Sequence, residues 1–282
     1  MGNGQSNPDA VALRHLVSRF LTSNARLKLP LLAALSRITD KSLPAVLFGG
    51  SVRDVMLRGP STEPRDVDIV VDASLDDLTN LFADILVRKT RFGGLHLNAR
   101  GWKIDVWPLA QTWAFRELRV GAADFDSLTK TTFLNVEAVA VDISPRPRGR
   151  KVRTSGFFEG IKRRTLDINL EENPFPGLAA VRTLITASTL SHGLSGRLAR
   201  YVSHQLKIIP LEQLVRIQVA HYGWVRCDID LMHKWAKVIQ QQIGTQSVIR
   251  LPQPTQLSFW RDFHRGAAAR TPKSPDRDGR SD

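Results

Sequence analysis

One cysteine, Cys227, is present in 282 residues. An internal disulfide framework and a cysteine-ligated zinc site are thereby excluded, and Cys227 reads as a small core residue. Long apolar runs are missing as well: none reaches the roughly 18 residues that crossing a bilayer requires. The N-terminal MGNGQSNPDA has no charged-then-apolar leader pattern. Met1-Gly2 opens like a myristoylation signal, but Ser6 is its only further support. A cytoplasmic protein without membrane attachment is the expectation. Acidic residues are scarce against basic ones, 27 against 40, leaving a net charge of +13 and a pI near 10.5. Such a surplus suits a polyanionic partner. No internal repeat is evident, and the length suffices for one large or two modest domains with a sizeable core.

What is present is concentrated in residues 47–72, LFGGSVRDVMLRGPSTEPRDVDIVVD. An apolar strand over 45–48 runs into Gly49 and Gly50, then into a short helix carrying Arg53 and Asp54. A second strand over 67–71 is headed by Asp66 and Asp68. Side chains alternate along a strand, so these two carboxylates point the same way. Such a pair repels itself and calls for a cation; hard oxygen donors at this spacing suit Mg²⁺ or Mn²⁺. Asp105, between Ile104 and Val106, can supply a third oxygen from a neighbouring strand. Gly49 and Gly50 let backbone N–H groups approach an anion at a helix start, and Ser51 adds a hydroxyl. The expected arrangement is a triphosphate cradle facing metal ligands.

These residues resemble the nucleotidyltransferase superfamily, and within it the class II poly(A) polymerases and tRNA CCA-adding enzymes. The head domains of that family carry Gly-Gly-x-Val-Arg-Asp followed by Asp-x-Asp, matched here by Gly49-Gly50-Ser51-Val52-Arg53-Asp54 and Asp66-Val67-Asp68. The resemblance implies an α+β fold: a polymerase-beta-like head with a mixed sheet, then an all-helical C-terminal domain. Asp66, Asp68 and Asp105 become the catalytic metal ligands, and Gly49, Gly50, Ser51 and Arg53 the nucleotide-binding residues.

Further along, residues 130–138 resemble the family's Arg-Arg-Asp-Phe-Thr-x-Asn-Ala motif through Phe133 and Asn135, but Lys130, Thr131 and Thr132 stand where the charged triplet belongs. Asn135 is a candidate ribose or backbone contact. Residues 172–182 align with Glu-Asp-Pro-x-Arg-x-x-Arg-Ala-x-Arg through Glu172, Pro174, Ala180 and Arg182, of which Glu172 and Arg182 are candidate nucleotide contacts. Asn173, Pro176 and Ala179 replace an aspartate and two arginines. In CCA-adding relatives an aspartate and an arginine of this stretch read the edges of CTP and ATP. Protein-templated selection of C and then A is therefore not implied for this chain.

Periodicity predicts helices over 9–21, with Asp9 as N-cap, and over 28–38; a Ser74-capped helix extending towards 87; a hairpin of 91–98 with 101–107; and a strand over 136–143. Helices follow over 180–190, 195–206, 210–222 and 228–243, and no chemistry is assigned to them. Trp102, Trp107 and Trp113 read mainly as packing residues, with base stacking as the alternative. Domain limits are placed at 1–43 for N-terminal helices, 44–170 for the head, 171–265 for a helical neck and body, and 266–282 for a disordered basic tail.

Arg146, Arg148, Arg150, Lys151, Arg153, Lys162, Arg163 and Arg164 form a basic interval that reads as a phosphate-tracking RNA surface. The expected function is metal-dependent transfer of a nucleotide from an NTP to an RNA acceptor, with a tRNA 3′ end as first choice. The short body and the replaced nucleotide-reading residues fit a toxin or defence enzyme better than a housekeeping one. The alternatives are transfer to a protein or small molecule, and a binding module with a degenerate head.

Overall fold

The computed structural model describes residues 7–22, 26–90, 93–144 and 149–253. The chain opens with α1 (Pro8–Thr22) and α2 (Leu29–Asp40). Asn7 caps α1, its side-chain oxygen accepting from the Asp9 N–H at 2.9 Å, so Asp9 lies in the first turn and is not the cap. The head continues through β1 (Ala45–Phe48), α3 (Gly50–Arg58), β2 (Val67–Val71), α4 (Leu75–Leu81), β3 (Leu86–Lys89), β4 (Leu95–Ala99) and β5 (Trp102–Pro108). Two single-turn helices, α5 (Trp113–Arg116) and α6 (Phe125–Leu128), precede β6 (Val139–Asp142), β7 (Val152–Thr154) and α7 (Phe157–Arg163).

Strands β3-β4-β5-β2-β1-β6-β7 lie side by side in one sheet. Only β2 and β5 pair in parallel, so the sheet is mixed. Alternation sorts the side chains. Leu47, Val67, Ile69, Ile104, Val106 and Val139 face a core covered by α1, α2, α3, α4 and α7. Val46, Val70 and Ala140 face a smaller cluster with Leu109, Phe115 and Leu128. Asp68 and Asp105 lie on this second, thinly covered face.

Ser74 caps α4 as expected, accepting from the Asp77 N–H at 3.1 Å. The helix stops at Leu81, however, and does not extend towards 87. Arg37 takes the Leu81 carbonyl at 3.2 Å and the Asp84 carboxylate at 2.8 Å, and Leu86–Lys89 leaves to become an edge strand. The 136–143 stretch likewise splits: Asn135–Glu137 forms a 3₁₀ turn before β6.

After β8 (Thr165–Leu166) come α8 (Pro176–Leu190), β9 (Gly193–Ser195), α9 (Gly196–Ile208), α10 (Leu211–Tyr222), α11 (Ile229–Gln242) and β10 (Val248–Ile249). The helices match the expected spans closely, and Ser195 and Asp228 cap α9 and α11. They are joined by a three-stranded sheet, β10-β9-β8, that periodicity did not reveal. A second core built on Val181, Leu198, Trp235 and Cys227 holds this part together. The Cys227 thiol is buried and its pKa is pushed up by burial. Among the described residues no helix is long and apolar enough to cross a membrane. The tail at 266–282 lies outside the described residues.

Candidate active site

The sheet register builds the site. Phe48, the last residue of β1, is the partner of Asp68 in β2, and Asp68 is the partner of Asp105 in β5. The glycine turn therefore begins directly beside the carboxylates. Gly49 has φ +69°, which favours glycine, and its N–H donates to the Val139 carbonyl at 3.0 Å. A Cβ there would stand 4.0 Å from Asp68 Oδ2, filling the space above the acid. Ser51 is buried and donates to the Phe48 carbonyl at 3.0 Å, fixing the turn from beneath.

Burial and then the Asp105 carboxylate push the Asp68 pKa up to about 7, with Asp66 and Glu137 adding to the effect and Arg182 opposing it. Asp66 lies just outside β2, in a bend, and is held by the Arg65 guanidinium. Its position loosens the strict same-face pairing expected for Asp66 and Asp68. Asp105 has a partner that sequence reasoning missed: Oδ1 lies 2.6 Å from His96 Nδ1, directly across the β4–β5 hairpin. Counting back from the two-residue turn at Arg100 and Gly101 reaches His96, so the signal was available in the hairpin.

Among the described residues no three His, Cys, Asp or Glu side chains stand as a ready-made metal cluster. The donor chemistry nevertheless fits a hard divalent ion. The negative charge of Asp105 and Asp66 that helps raise the Asp68 pKa is relieved by a cation.

Glu137 is the second residue missed. Buried in the 3₁₀ turn, its Oε1 accepts from Arg53 Nη1 at 3.2 Å and from Arg182 Nη2 at 2.9 Å. Burial would raise the Glu137 pKa, but Arg182 and Arg53 prevail and hold it below the usual carboxylate range. Arg53 also grips Asp54 at 2.8 Å. Arg53 and Arg182, expected at the nucleotide, thus meet on one structural acid, with the Arg182 side chain still 43% exposed. An acid inside the apolar run Val136-Glu137-Ala138 was the available hint that a buried partner exists.

Other candidates lie apart from this centre. The Asn135 amide is engaged with backbone: Nδ2 donates to the Thr165 carbonyl at 3.2 Å, and Oδ1 accepts from the Asp167 N–H at 2.9 Å. Glu172 is exposed ahead of α8. Asn173 donates to the Tyr201 hydroxyl at 2.9 Å, and Pro176 opens α8.

The basic interval requires correction as a continuous RNA surface. Arg150 and Arg153 are buried: the first donates to the Asp142 carbonyl at 3.1 Å, the second to the Asp142 carboxylate at 2.6 Å and Asp126 at 2.8 Å. Lys151 pairs with Asp126 at 2.9 Å. These residues clamp β6, β7 and α6 together. Lys162, Arg163 and Arg164 are exposed at the end of α7, with Arg163 paired to Glu159. Arg146 and Arg148 lie outside the described residues.

Residues 45–126 match the family model of the poly(A) polymerase head domain. The matched stretch contains the glycine turn and Asp68, so this part of the chain is similar to a poly(A) polymerase head domain. No curated protein matches this chain. Among solved structures it is similar to a CCA-adding enzyme in complex with ATP, at 16% identity and TM-score 0.56, covering 78% of this chain and 54% of that one. A tRNA nucleotidyltransferase complexed with a primer tRNA and an incoming ATP analogue matches at 17% identity and TM-score 0.51, covering 85% and 71%. The Thermotoga maritima CCA-adding enzyme complexed with tRNA matches at 15% and 0.51, covering 92% and 57%. These likenesses establish the fold. The chain spans about half the length of several of the structures it matches.

Proposed function

We propose that this protein transfers a nucleotide from an NTP to an RNA 3′ end, with tRNA as the favoured acceptor. The observation that carries the reading is the register placing Asp68 beside both the glycine turn and Asp105. The solved structures of similar fold, determined with tRNA, ATP, an ATP analogue or CTP, support the choice of substrates.

In the reaction the acceptor 3′-hydroxyl oxygen bonds to the α-phosphorus, the bond to the β-phosphate bridging oxygen breaks, and pyrophosphate leaves. Because the Gly49 N–H is taken by the Val139 carbonyl, the Gly50 N–H at the start of α3 receives a phosphate oxygen. Asp105, its Oδ1 oriented by His96, accepts the hydroxyl proton on its other oxygen. Asp68, Asp105 and Asp66 would hold Mg²⁺ or Mn²⁺, which supplies Lewis-acid charge to the triphosphate and lowers the pKa of the attacking hydroxyl. Arg65 competes for Asp66 and so tunes that site. The altered residues 130–132, 173 and 176 favour a specialised role, such as a toxin or defence enzyme that blocks tRNA ends, over ordered CCA synthesis.

Incubation with each α-labelled NTP, Mg²⁺ and total tRNA tests the reading. Label in RNA is the expected result. Label in protein or in a soluble product would move the acceptor to another class, and nucleotide bound without transfer would make the chain a binding module.

A further inference from the structure

Helix α10 ends in a group of side chains to which the sequence assigned no chemistry. After Tyr222, Gly223 turns the chain at φ +81° into the link to α11, which carries Trp224 and Arg226. The Arg226 guanidinium carbon lies 4.9 Å from the centres of both the Trp224 and Tyr222 rings, and that of Arg65 lies 5.0 Å from the Tyr222 ring. The link is pinned from below. Gln218, fully buried, donates to the Cys227 carbonyl at 2.7 Å and accepts from the Arg226 and Cys227 N–H groups at 3.0 and 2.9 Å. A link held this way presents its side chains in fixed positions.

The group borders the active site. Arg65 is the residue that holds Asp66, and Arg182 lies close enough to interact with both Tyr222 and Asp68. Burial and then the nearby Arg65 charge disfavour the charged form of Arg226, with Tyr222 and Asp66 partly offsetting them. Trp224 leaves 48% of its surface open, and Arg226 Nε is buried with no hydrogen-bond partner among the described residues. A large exposed aromatic backed by a guanidinium, next to crowded cations, suits a ligand with one flat apolar face and one anionic group. A nucleotide has both.

We infer that Trp224, Tyr222, Arg226 and Arg65 form a platform on which a nucleobase stacks against Trp224 while its phosphate meets the arginines. The inference rests on the nucleotidyl-transfer reading and assigns the link between α10 and α11 to substrate positioning. The base belongs either to the incoming nucleotide or to the last residue of the acceptor.

Equilibrium binding to the full chain separates these sources and tests the platform. ATP, inorganic tripolyphosphate, a short RNA, and the same RNA with an abasic 3′-terminal residue are titrated against wild type, Trp224→Ala and Trp224→Phe. Trp224→Ala is expected to weaken one base-bearing ligand by roughly ten-fold or more, with tripolyphosphate and the abasic RNA unchanged and Trp224→Phe restoring most of the loss. Loss on ATP assigns the incoming base, and loss on the intact RNA the acceptor base. Equal loss on base-bearing and base-free ligands, no loss on either, or no binding by the folded wild type overturns the platform. The transfer assay reads the parent proposal separately: transfer that proceeds with a Trp224→Ala protein of unaltered affinity would sink the platform and leave the chemistry standing.

Discussion

Asp68 carries opposing demands, which give it a pH signature. A carboxylate whose pKa rises to about 7 in the folded state holds its proton more tightly there than in the unfolded chain. Its stabilising contribution in the metal-free protein is thus complete below the ordinary carboxylate range and is lost as pH rises through about 7. Thermal melts of metal-free protein should show this decline, and Asp68→Asn should remove that part of it. Because a divalent ion takes the deprotonated form, Mn²⁺ affinity measured by calorimetry should increase with pH up to about 7 and then level off. Glu137 behaves in the opposite sense: its pKa is lowered, so its contribution is present above the unfolded value and lost as pH falls through the folded one. Glu137→Ala leaves Arg53 facing a buried gap and should cost about 3 kcal/mol in urea unfolding. At this scale the motif was legible, because Gly49, Asp66, Asp68 and Asp105 stand in a spacing that few other functions require. His96 and Glu137 were not singled out, since each acquires its meaning only from a partner brought close by the fold.

The β4–β5 hairpin shows what an element adds to its residues. Positive φ at Arg100 and Gly101, +49° and +98°, makes a tight two-residue turn whose twist suits paired strands. The turn sets the register that puts His96 on Asp105. Gly94 is needed for closeness: a Cβ there would lie 2.4 Å from Trp107 Cε3, so the backbone rests against the indole. Gly94→Val should therefore cost about 1–3 kcal/mol and tilt β5, lowering transfer activity along with stability, whereas Gly101→Asn meets no neighbouring atom, bears only the backbone strain of φ +98° and should cost less. Denaturation midpoints of the two variants test the contrast. Strands with strong alternation and the helices of the C-terminal part were read correctly from sequence. The misread spans, 82–89 and 136–138, are those where tertiary partners decide: Arg37 ends α4, and sheet-edge pairing recruits residues whose local pattern is neutral. The small β8–β9–β10 sheet was hidden because strands of two or three residues carry no periodicity.

At the scale of the molecule, the head and the C-terminal part share the site. Arg182 from α8 and Arg53 from α3 meet on Glu137, while the α10–α11 link approaches Asp66 through Arg65. The surplus of positive charge is therefore divided. Arg150 and Arg153 serve folding, whereas Arg65, Arg182 and Arg226 gather beside the carboxylates. Net charge pointed to a polyanion but could not say which arginines were already neutralised, because Asp126 and Asp142 are distant from several of them in sequence. The central claim is that Asp68 and Asp105 direct nucleotide addition to an RNA 3′ end. Sequencing the 3′ ends of total tRNA after incubation with all four NTPs and Mg²⁺, with wild type and with Asp68→Asn, tests it most directly. The account predicts added 3′ nucleotides with wild type and a rate roughly 1,000-fold lower with the variant. Unchanged ends with folded wild-type protein, or equal extension by both, would contradict it.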